Sequence, residues 1–354
     1  MPTPIESVPR VFVTRPIAEP ALRRLALSAR VDLWDDDAPP PRRELIRRAR
    51  ASDAVLTMIS DRIDAALIRQ APRLRVVSNL AVGLDNIDLA AATRAGLAIG
   101  HTPGVLTDTT AELAVALMFA VARRVVEADR FVRAGRWRMW TPHLMLGRDL
   151  AGATLGIIGF GAIGQAVALR AAALGMNVIH AAHQSRSAAP LRRRRRQPNV
   201  SQDTPVAQAV ALDRLLAESD FISLHAPLTP ETRGMIGRKQ FDAMKRGAVL
   251  INTARGPIVD QAAMVAALRS GRLGGAGLDV LAGEPIAPDD PLLEFPNVAL
   301  TPHIGSASHR TRLRMAELAI DNILDVFAGR PPRCCANPGV KLKSPAPARG
   351  RRAR

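Results

Sequence analysis

Short apolar, β-branched runs alternate with stretches of helical periodicity through the first hundred residues of the chain. The runs RVFVT, DAVLT and LRVVSNL each predict a buried strand, and helical patterns follow the first two at residues 18–27 and 63–69. A loop reading AVGLDNID follows the third run. Because strands separated by helices pair in parallel, this region predicts a parallel sheet with helices on both faces.

A second alternation of the same kind begins at ATLGIIGFG and continues through MNVIHA, DFISLHAP, AVLINTA and GGAGLDV. It predicts at least five strands in the doubly wound α/β arrangement that binds nucleotides. An apolar-periodic stretch at residues 107–132 predicts one helix crossing between two domains, which a 354-residue chain is long enough to form. Another stretch, at residues 309–327, predicts a helix that returns to complete the N-terminal domain.

Two segments lack the apolar periodicity of an element that packs on a core, and we predict that both are disordered. They are about residues 184–206 and the basic end at residues 341–354. Eleven of the positive charges behind the net charge of +17 lie in Arg192–Arg196 and in the basic end, so the rest of the chain carries an excess of only about +6. Tyrosine is absent and aromatic residues make up 3%, which argues against the stacking surfaces of single-strand nucleic-acid readers. No nucleic-acid partner is therefore expected.

No run approaches the roughly 18 uninterrupted apolar residues of a membrane helix, and the N-terminus lacks the apolar core of a signal peptide. A cytoplasmic protein without a membrane partner is the resulting expectation. The two cysteines, Cys334 and Cys335, are adjacent and have no partners spaced for a zinc site, so no metal is expected. The irregular segment RWRMWTPHLMLG holds two of the three tryptophans and suggests a subunit contact or a substrate lid.

The segment TLGIIGFGAIGQAVA predicts a dinucleotide site, because three glycines stand between an apolar strand and an alanine-rich helix. Gly159 would make the tight turn, Gly161 would let the backbone approach the pyrophosphate, and Gly164 would let the helix pack closely. A carboxylate that holds the ribose 2′-hydroxyl of NAD would fall near Ala182, where the chain has none. Donors that follow this position favour NADP, with NAD possible: His183, Gln184, Ser185 and Arg186.

Three chemically complementary side chains follow the ends of three further strands. Arg255 in NTARGP offers a planar fork for a carboxylate, His303 in TPHIGSA offers a proton donor, and Glu284 in GLDVLAGEP offers an acid to hold that donor. Each alone is more often structural or solvated. Together they supply what the reduction of a 2-keto acid requires, a cation, a proton donor and its partner.

The ordered motifs GFGAIG, NTARG, GLDVLAGEP and TPHIGSA resemble the D-isomer-specific 2-hydroxyacid dehydrogenase family over nearly residues 10–340, and VGLDNID and HTPGVLTDTTAELA are most similar to glyoxylate/hydroxypyruvate reductases. The resemblance implies a homodimer and two doubly wound domains with the active site in the cleft between them. A flavodoxin-like substrate domain would comprise residues 1–106 and 300–340, and a Rossmann coenzyme domain residues 107–299.

The resemblance also implies roles for residues at matching positions. His303 would be the general acid, Glu284 its partner, and Arg255 the clamp on the substrate, with the backbone of Val82 and Gly83 on the other side of the carboxylate. Trp140 would reach toward the substrate pocket. The coenzyme contacts, with Asp279 on the nicotinamide carboxamide, would be Gly159, Gly161, Ala162, Ile163, Gly164, Pro227, Thr253, Asp279 and Gly305.

The predicted function is reduction of a small 2-keto acid, glyoxylate or hydroxypyruvate, to the D-2-hydroxy acid by NADPH or NADH. A reductase of a larger sugar acid such as 2-ketogluconate remains open, because the sequence does not show the size of the pocket. A non-catalytic dinucleotide sensor like the corepressors that resemble this family is a second alternative, against which the presence of all three catalytic residue types argues.

Overall fold

The chain folds into two compact units in a computed structural model that describes residues 8–181 and 206–343. One unit contains the described residues up to Leu106 and those from Ala307 onward, and the other is Thr107–Ser306. The boundary therefore follows Ser306, whereas the sequence placed it after residue 299. As a result Arg255, Glu284 and His303 all lie in the second unit.

The first unit contains a five-stranded, wholly parallel sheet with the strand order β2-β1-β3-β4-β5. This is the order of flavodoxin-like sheets, as predicted. Its strands are β1 (Arg10–Val13), β2 (Arg30–Leu33), β3 (Ala54–Thr57), β4 (Val76–Asn79) and β5 (Ala98–Gly100). Four helices connect them, α1 (Glu19–Ala26), α2 (Arg42–Arg50), α3 (Ala65–Gln70) and α4 (Leu89–Arg94).

The second unit contains a seven-stranded parallel sheet with the strand order β12-β11-β10-β9-β6-β7-β8. The strands are β6 (Thr154–Ile158), β7 (Asn177–Ala181), β8 (Gln208–Ala209), β9 (Phe221–Leu224), β10 (Ala248–Asn252), β11 (Leu273–Leu278) and β12 (Val298–Leu300). The strand order reverses between β6 and β9, which pair directly, and ligands of doubly wound sheets bind at such a reversal. The predicted α/β fold with two doubly wound parallel sheets is thus confirmed.

The described residues of this unit form six α-helices, and the first two correct the prediction of a single helix over residues 107–132. They are α5 (Thr107–Ala122), α6 (Val125–Arg133), α7 (Ala162–Ala173), α8 (Leu212–Glu218), α9 (Arg238–Ala243) and α10 (Gln261–Arg269). The chain breaks at Arg124, whose φ of 55° is left-handed. There the N–H of Arg148 donates to the carbonyl of Ala122 at 2.8 Å, so a neighbouring segment satisfies the end of α5.

The helix α11 (His309–Phe327) matches its prediction and packs on the sheet of the first unit. Its buried face includes Ala319, Ile320 and Ile323, and Ser308 caps its N-terminus by accepting from the N–H of Thr311. None of the described helices combines the length and apolarity that crossing a bilayer requires.

The sequence missed the edge strand β2 and the arginine-rich α2, since neither has the apolar run that marks the inner strands. The basic end is anchored further than predicted: Leu342 packs on the core, and Lys343 donates to the carbonyls of Pro72 and Leu74 at 3.2 and 3.0 Å. Val206 is buried, so the predicted insertion ends before it. The rest of the insertion, and residues 344–354, lie outside the described residues.

We predict that His225 makes the second unit less stable in acid. The ring follows β9 and its Nε2 lies 2.8 Å from the hydroxyl of Ser223, and burial lowers its pKa from 6.5 to about 4. The unfolded chain therefore takes up a proton first, so stability is complete above pH 6.5 and falls by about 3 kcal/mol toward pH 4. Denaturant unfolding from pH 7.5 to 4 measures this loss.

The variant His225→Gln keeps a partner for Ser223 without titrating, so its unfolding free energy should depend less on pH. The matched control is His309→Gln, which replaces an exposed histidine and should keep the wild-type slope. Equal slopes in the two variants would contradict the assignment to His225.

Candidate active site

The glycine-rich turn after β6 has the geometry that a dinucleotide site needs. Gly159 has a φ of +93°, and a Cβ there would lie 2.6 Å from the backbone nitrogen of Ala226. A Cβ on Gly164 would overlap the carbonyl of Gly159, whereas one on Gly161 would meet only open space. The turn is therefore close-packed on two sides and open at the position where a pyrophosphate is expected to approach.

The helix α7 begins directly at this turn, with Gly161 as an N-cap that has no side chain to satisfy the first N–H groups. Ala162 and Ile163 lie in that first turn, where free N–H groups and the helix dipole favour an anion. The residues present therefore fit a dinucleotide. Phe160 stacks on His180 of β7 with ring centroids 3.7 Å apart, and burial lowers the pKa of His180.

The described part of β7 ends at Ala181, and the positions predicted to select the coenzyme, Ala182, His183, Gln184, Ser185 and Arg186, lie outside the described residues. Pro227 is exposed after β9. Thr253 is 9% exposed after β10, and its hydroxyl has no hydrogen-bond partner among the described residues.

Arg255 is held by a buried amide at the end of β10. Asn252 donates from Nδ2 to the carbonyl of Arg255 at 2.9 Å and accepts the N–H of Ala254 at 3.0 Å. Asn252 was not predicted as a site residue, although an amide that closes the wholly buried strand AVLIN was a signal for it. The next residue, Gly256, packs so closely on the backbone of Leu281 that any Cβ would overlap it.

That contact joins the Arg255 turn to the segment carrying Glu284. The N–H of Leu281 donates to Oε1 of Glu284 at 3.0 Å, and Oε2 of Glu284 lies 2.8 Å from Nδ1 of His303. The imidazole and carboxylate are both partly exposed, so the pair faces an accessible surface of the unit. Since a carboxylate only accepts, Nδ1 of His303 carries the proton in this pair.

The pKa of Glu284 is held below its usual value. Burial acts in the opposite direction, but the hydrogen bonds from His303 and Leu281 and the positive charges of His303 and Arg255 outweigh it. Glu284 is consequently a carboxylate at neutral pH.

Asp279 organises the turn on which His303 lies. Its carboxylate is 2% exposed and accepts the hydroxyl of Thr301 at 2.6 Å and the N–H groups of Ile304 and Gly305 at 2.7 Å each. The N–H of His303 donates to the carbonyl of Asp279 at 3.0 Å. These bonds fix His303 at a left-handed φ of 55°, a strained conformation for a residue with a side chain.

The sequence linked Asp279 and Gly305 only to the coenzyme, and it did not predict that they hold the turn of His303 in place.

The structure brings Arg255, Glu284 and His303 together, because each follows a strand of one parallel sheet. Val82 and Gly83 lie in the first unit, after β4. Trp140 lies in the second unit and is 76% exposed, on the segment between α6 and β6. Among the described residues there is no group of three or more side chains suited to a metal ion.

Comparison with known proteins extends these observations. Residues 115–305 match the family model described as "D-isomer specific 2-hydroxyacid dehydrogenase, NAD binding domain". The chain is 48% identical over 339 residues to a glyoxylate reductase of Korarchaeum cryptofilum, covering 95% of this chain and 98% of the relative.

Solved structures agree. The TT0316 protein of Thermus thermophilus has a TM-score of 0.83 and 46% identity, covering 92% of this chain and 99% of its own. An NADPH-dependent glyoxylate/hydroxypyruvate reductase from Sinorhizobium meliloti, in complex with NADP and malonate, has a TM-score of 0.77 and 29% identity, covering 96% and 100%. With a nicotinamide dinucleotide as its cofactor, this oxidoreductase belongs to the D-isomer specific 2-hydroxyacid dehydrogenase family.

Proposed function

We propose that the protein reduces glyoxylate or hydroxypyruvate to the D-2-hydroxy acid, using NADPH or NADH. The observation that carries this proposal is the 2.8 Å contact between Nδ1 of His303 and Glu284, which leaves Nε2 of His303 as the proton donor. The glyoxylate reductases among the relatives support the choice of substrate.

In this mechanism Arg255 binds the substrate carboxylate and polarises the carbonyl, and the N–H groups of Val82 and Gly83 also bind the carboxylate. The bound nicotinamide supplies the hydride. His303 gives its Nε2 proton to the developing alkoxide, and Glu284, which accepts the proton of Nδ1, fixes the tautomer and the orientation of the ring. Trp140 contacts the substrate.

We infer further that NADP is preferred over NAD, because no carboxylate stands at Ala182 and His183 to Arg186 offer donors for a 2′-phosphate. The relative that binds NADP supports this preference. The cytoplasmic location expected from the sequence stays a prediction, and a 2-ketogluconate-type substrate remains an alternative.

The function is tested by initial rates of NADPH and NADH oxidation with glyoxylate, hydroxypyruvate and 2-ketogluconate. We expect turnover of the two small acids, with a higher kcat/KM for NADPH. Faster turnover of 2-ketogluconate would replace the substrate assignment. Coenzyme binding without turnover of any acid would instead favour the dinucleotide sensor.

Removing the proton donor tests the mechanism. General acids contribute about 10²- to 10⁴-fold, so His303→Ala should lower kcat for glyoxylate by at least 10²-fold while leaving the Kd for NADPH unchanged. Glu284→Gln is the matched variant, since it keeps the shape and loses the charge. Its rate should fall at neutral pH and approach the wild-type rate only in acid well below pH 4.5, because the pKa of Glu284 in the folded wild type is lowered from that value. Near-normal turnover by His303→Ala would exclude it as the donor.

We also propose a homodimer that buries one apolar patch of the second unit. The patch consists of five large apolar side chains within residues 125–146, each between 51% and 70% exposed, and exposed apolar groups of this kind favour association. Its members are Val125, Val132, Trp137, Met139 and Leu146.

Sedimentation equilibrium tests the dimer. The wild type should have about twice the chain mass of 37.9 kDa, and the double variant Trp137→Glu with Met139→Glu should have the mass of one chain, because buried unpaired charges oppose association. The control is Leu27→Glu, at an 88% exposed position of the first unit, which should remain dimeric. A double variant of unchanged mass would place the interface elsewhere.

A further inference from the structure

Three consecutive carbonyls in the loop after β4, those of residues 81–83, each accept a hydrogen bond from a different residue of the first unit. The donors are the N–H of Thr102 to Ala81 at 2.9 Å, Nδ1 of His101 to Val82 at 3.1 Å, and Nδ2 of Asn79 to Gly83 at 2.9 Å. A separate hydrogen bond therefore sets the orientation of each of these three peptide groups.

Each of these bonds also sets the direction of an N–H group. A trans peptide is planar, and its C=O and N–H point in opposite directions. His101, by holding the carbonyl of Val82, turns the N–H of Gly83 away from the fold, and Thr102 does the same for the N–H of Val82. Neither N–H donates to another residue in the described part of the chain. Two adjacent, outward N–H groups form a site for an anion such as a carboxylate.

We propose that His101 is a positioning residue that holds the Gly83 N–H in place for the substrate carboxylate. The proposal rests on the proposed function, in which this loop binds the keto acid. The carbonyl of Val82 can only accept, so Nδ1 of His101 carries the proton. The imidazole acts through the peptide and does not touch the reacting atoms. It therefore contributes to substrate binding and not to the chemical step.

The backbone that carries His101 is fixed independently of the imidazole. Its N–H donates to the carbonyl of Cys334 at 3.1 Å, and its carbonyl accepts Nδ2 of Asn322 at 3.0 Å. Asn322 is fully buried on α11, and a Cβ on Gly100 would lie 2.7 Å from it. Replacing the His101 side chain therefore removes one donor and leaves the turn in place.

The experiment compares His101→Leu, which removes the donor, with His101→Asn, whose amide nitrogen can occupy the place of Nδ1. In steady state with saturating NADPH, His101→Leu should raise the KM for glyoxylate about five- to tenfold, the effect of one lost hydrogen bond, with kcat within about twofold. The KM for NADPH should not change. His101→Asn should restore a KM near that of the wild type.

Asn337→Ala is the matched structural control. Asn337 accepts the N–H of Ile99 at 2.9 Å and donates to the carbonyl of Leu97 at 3.0 Å. It therefore stabilises β5, the strand that precedes His101, without a hydrogen bond to the loop after β4. This variant should lower the Tm and leave the KM for glyoxylate unchanged. If its KM rises as much as that of His101→Leu, the effect is general loosening and the proposal is wrong.

Calorimetric titration of the coenzyme-saturated protein with malonate separates this inference from the proposed function. Malonate binding weakened five- to tenfold in His101→Leu, and restored in His101→Asn, supports the positioning role even if glyoxylate is not turned over. Equal KM and Kd values in the two variants and the wild type would overturn it. Wild-type protein that binds no carboxylate would overturn both proposals.

Discussion

The candidate site depends on the buried carboxylate of Asp279. A carboxylate withdrawn from water is costly unless donors replace its hydration, and here a hydroxyl and two backbone N–H groups do so. All three donors belong to the turn that carries His303. The same bonds that make the buried charge tolerable therefore hold a histidine in a left-handed conformation that it would not adopt in an unconstrained loop. The strain at His303 and the burial of Asp279 are two aspects of one arrangement.

The other residues of the candidate site, Arg255 and Glu284, are held mainly by contacts that involve the backbone. Asn252 holds the turn of Arg255, Gly256 lies against Leu281, and the N–H of Leu281 holds Glu284. A keto-acid site needs its cation and its acid at a constant separation, because misplacement of the reacting groups lowers the reaction rate. Parallel strand ends provide that separation, since the strands are spaced by their hydrogen bonds.

How much of this could be predicted depended on the kind of signal. The inner strands could be predicted because they are continuous apolar runs. The glycine motif could be predicted because each of its glycines has a separate steric role. Arg255, Glu284 and His303 were found by chemical complementarity. The edge strand β2 was missed because its four residues, RVDL, alternate charged and apolar side chains and form no apolar run. The break at Arg124 was missed because it depends on the distant N–H of Arg148. The parts played by Asn252, Asp279 and His101 within the turns are also set by distant partners, which local periodicity does not encode.

The first unit is assembled from both ends of the chain, and this determines when it can be finished during synthesis. The second unit is one continuous segment, so all of its described strands have been synthesised by Ser306. The sheet of the first unit has all five strands by residue 100, yet α11 and the Cys334 carbonyl that holds the His101 turn emerge only some two hundred residues later. Of the two helices that pack in the core on one apolar face of that sheet, α1 is therefore made early and α11 late, and the His101 turn gains its bond to Cys334 only after the whole second unit has been made.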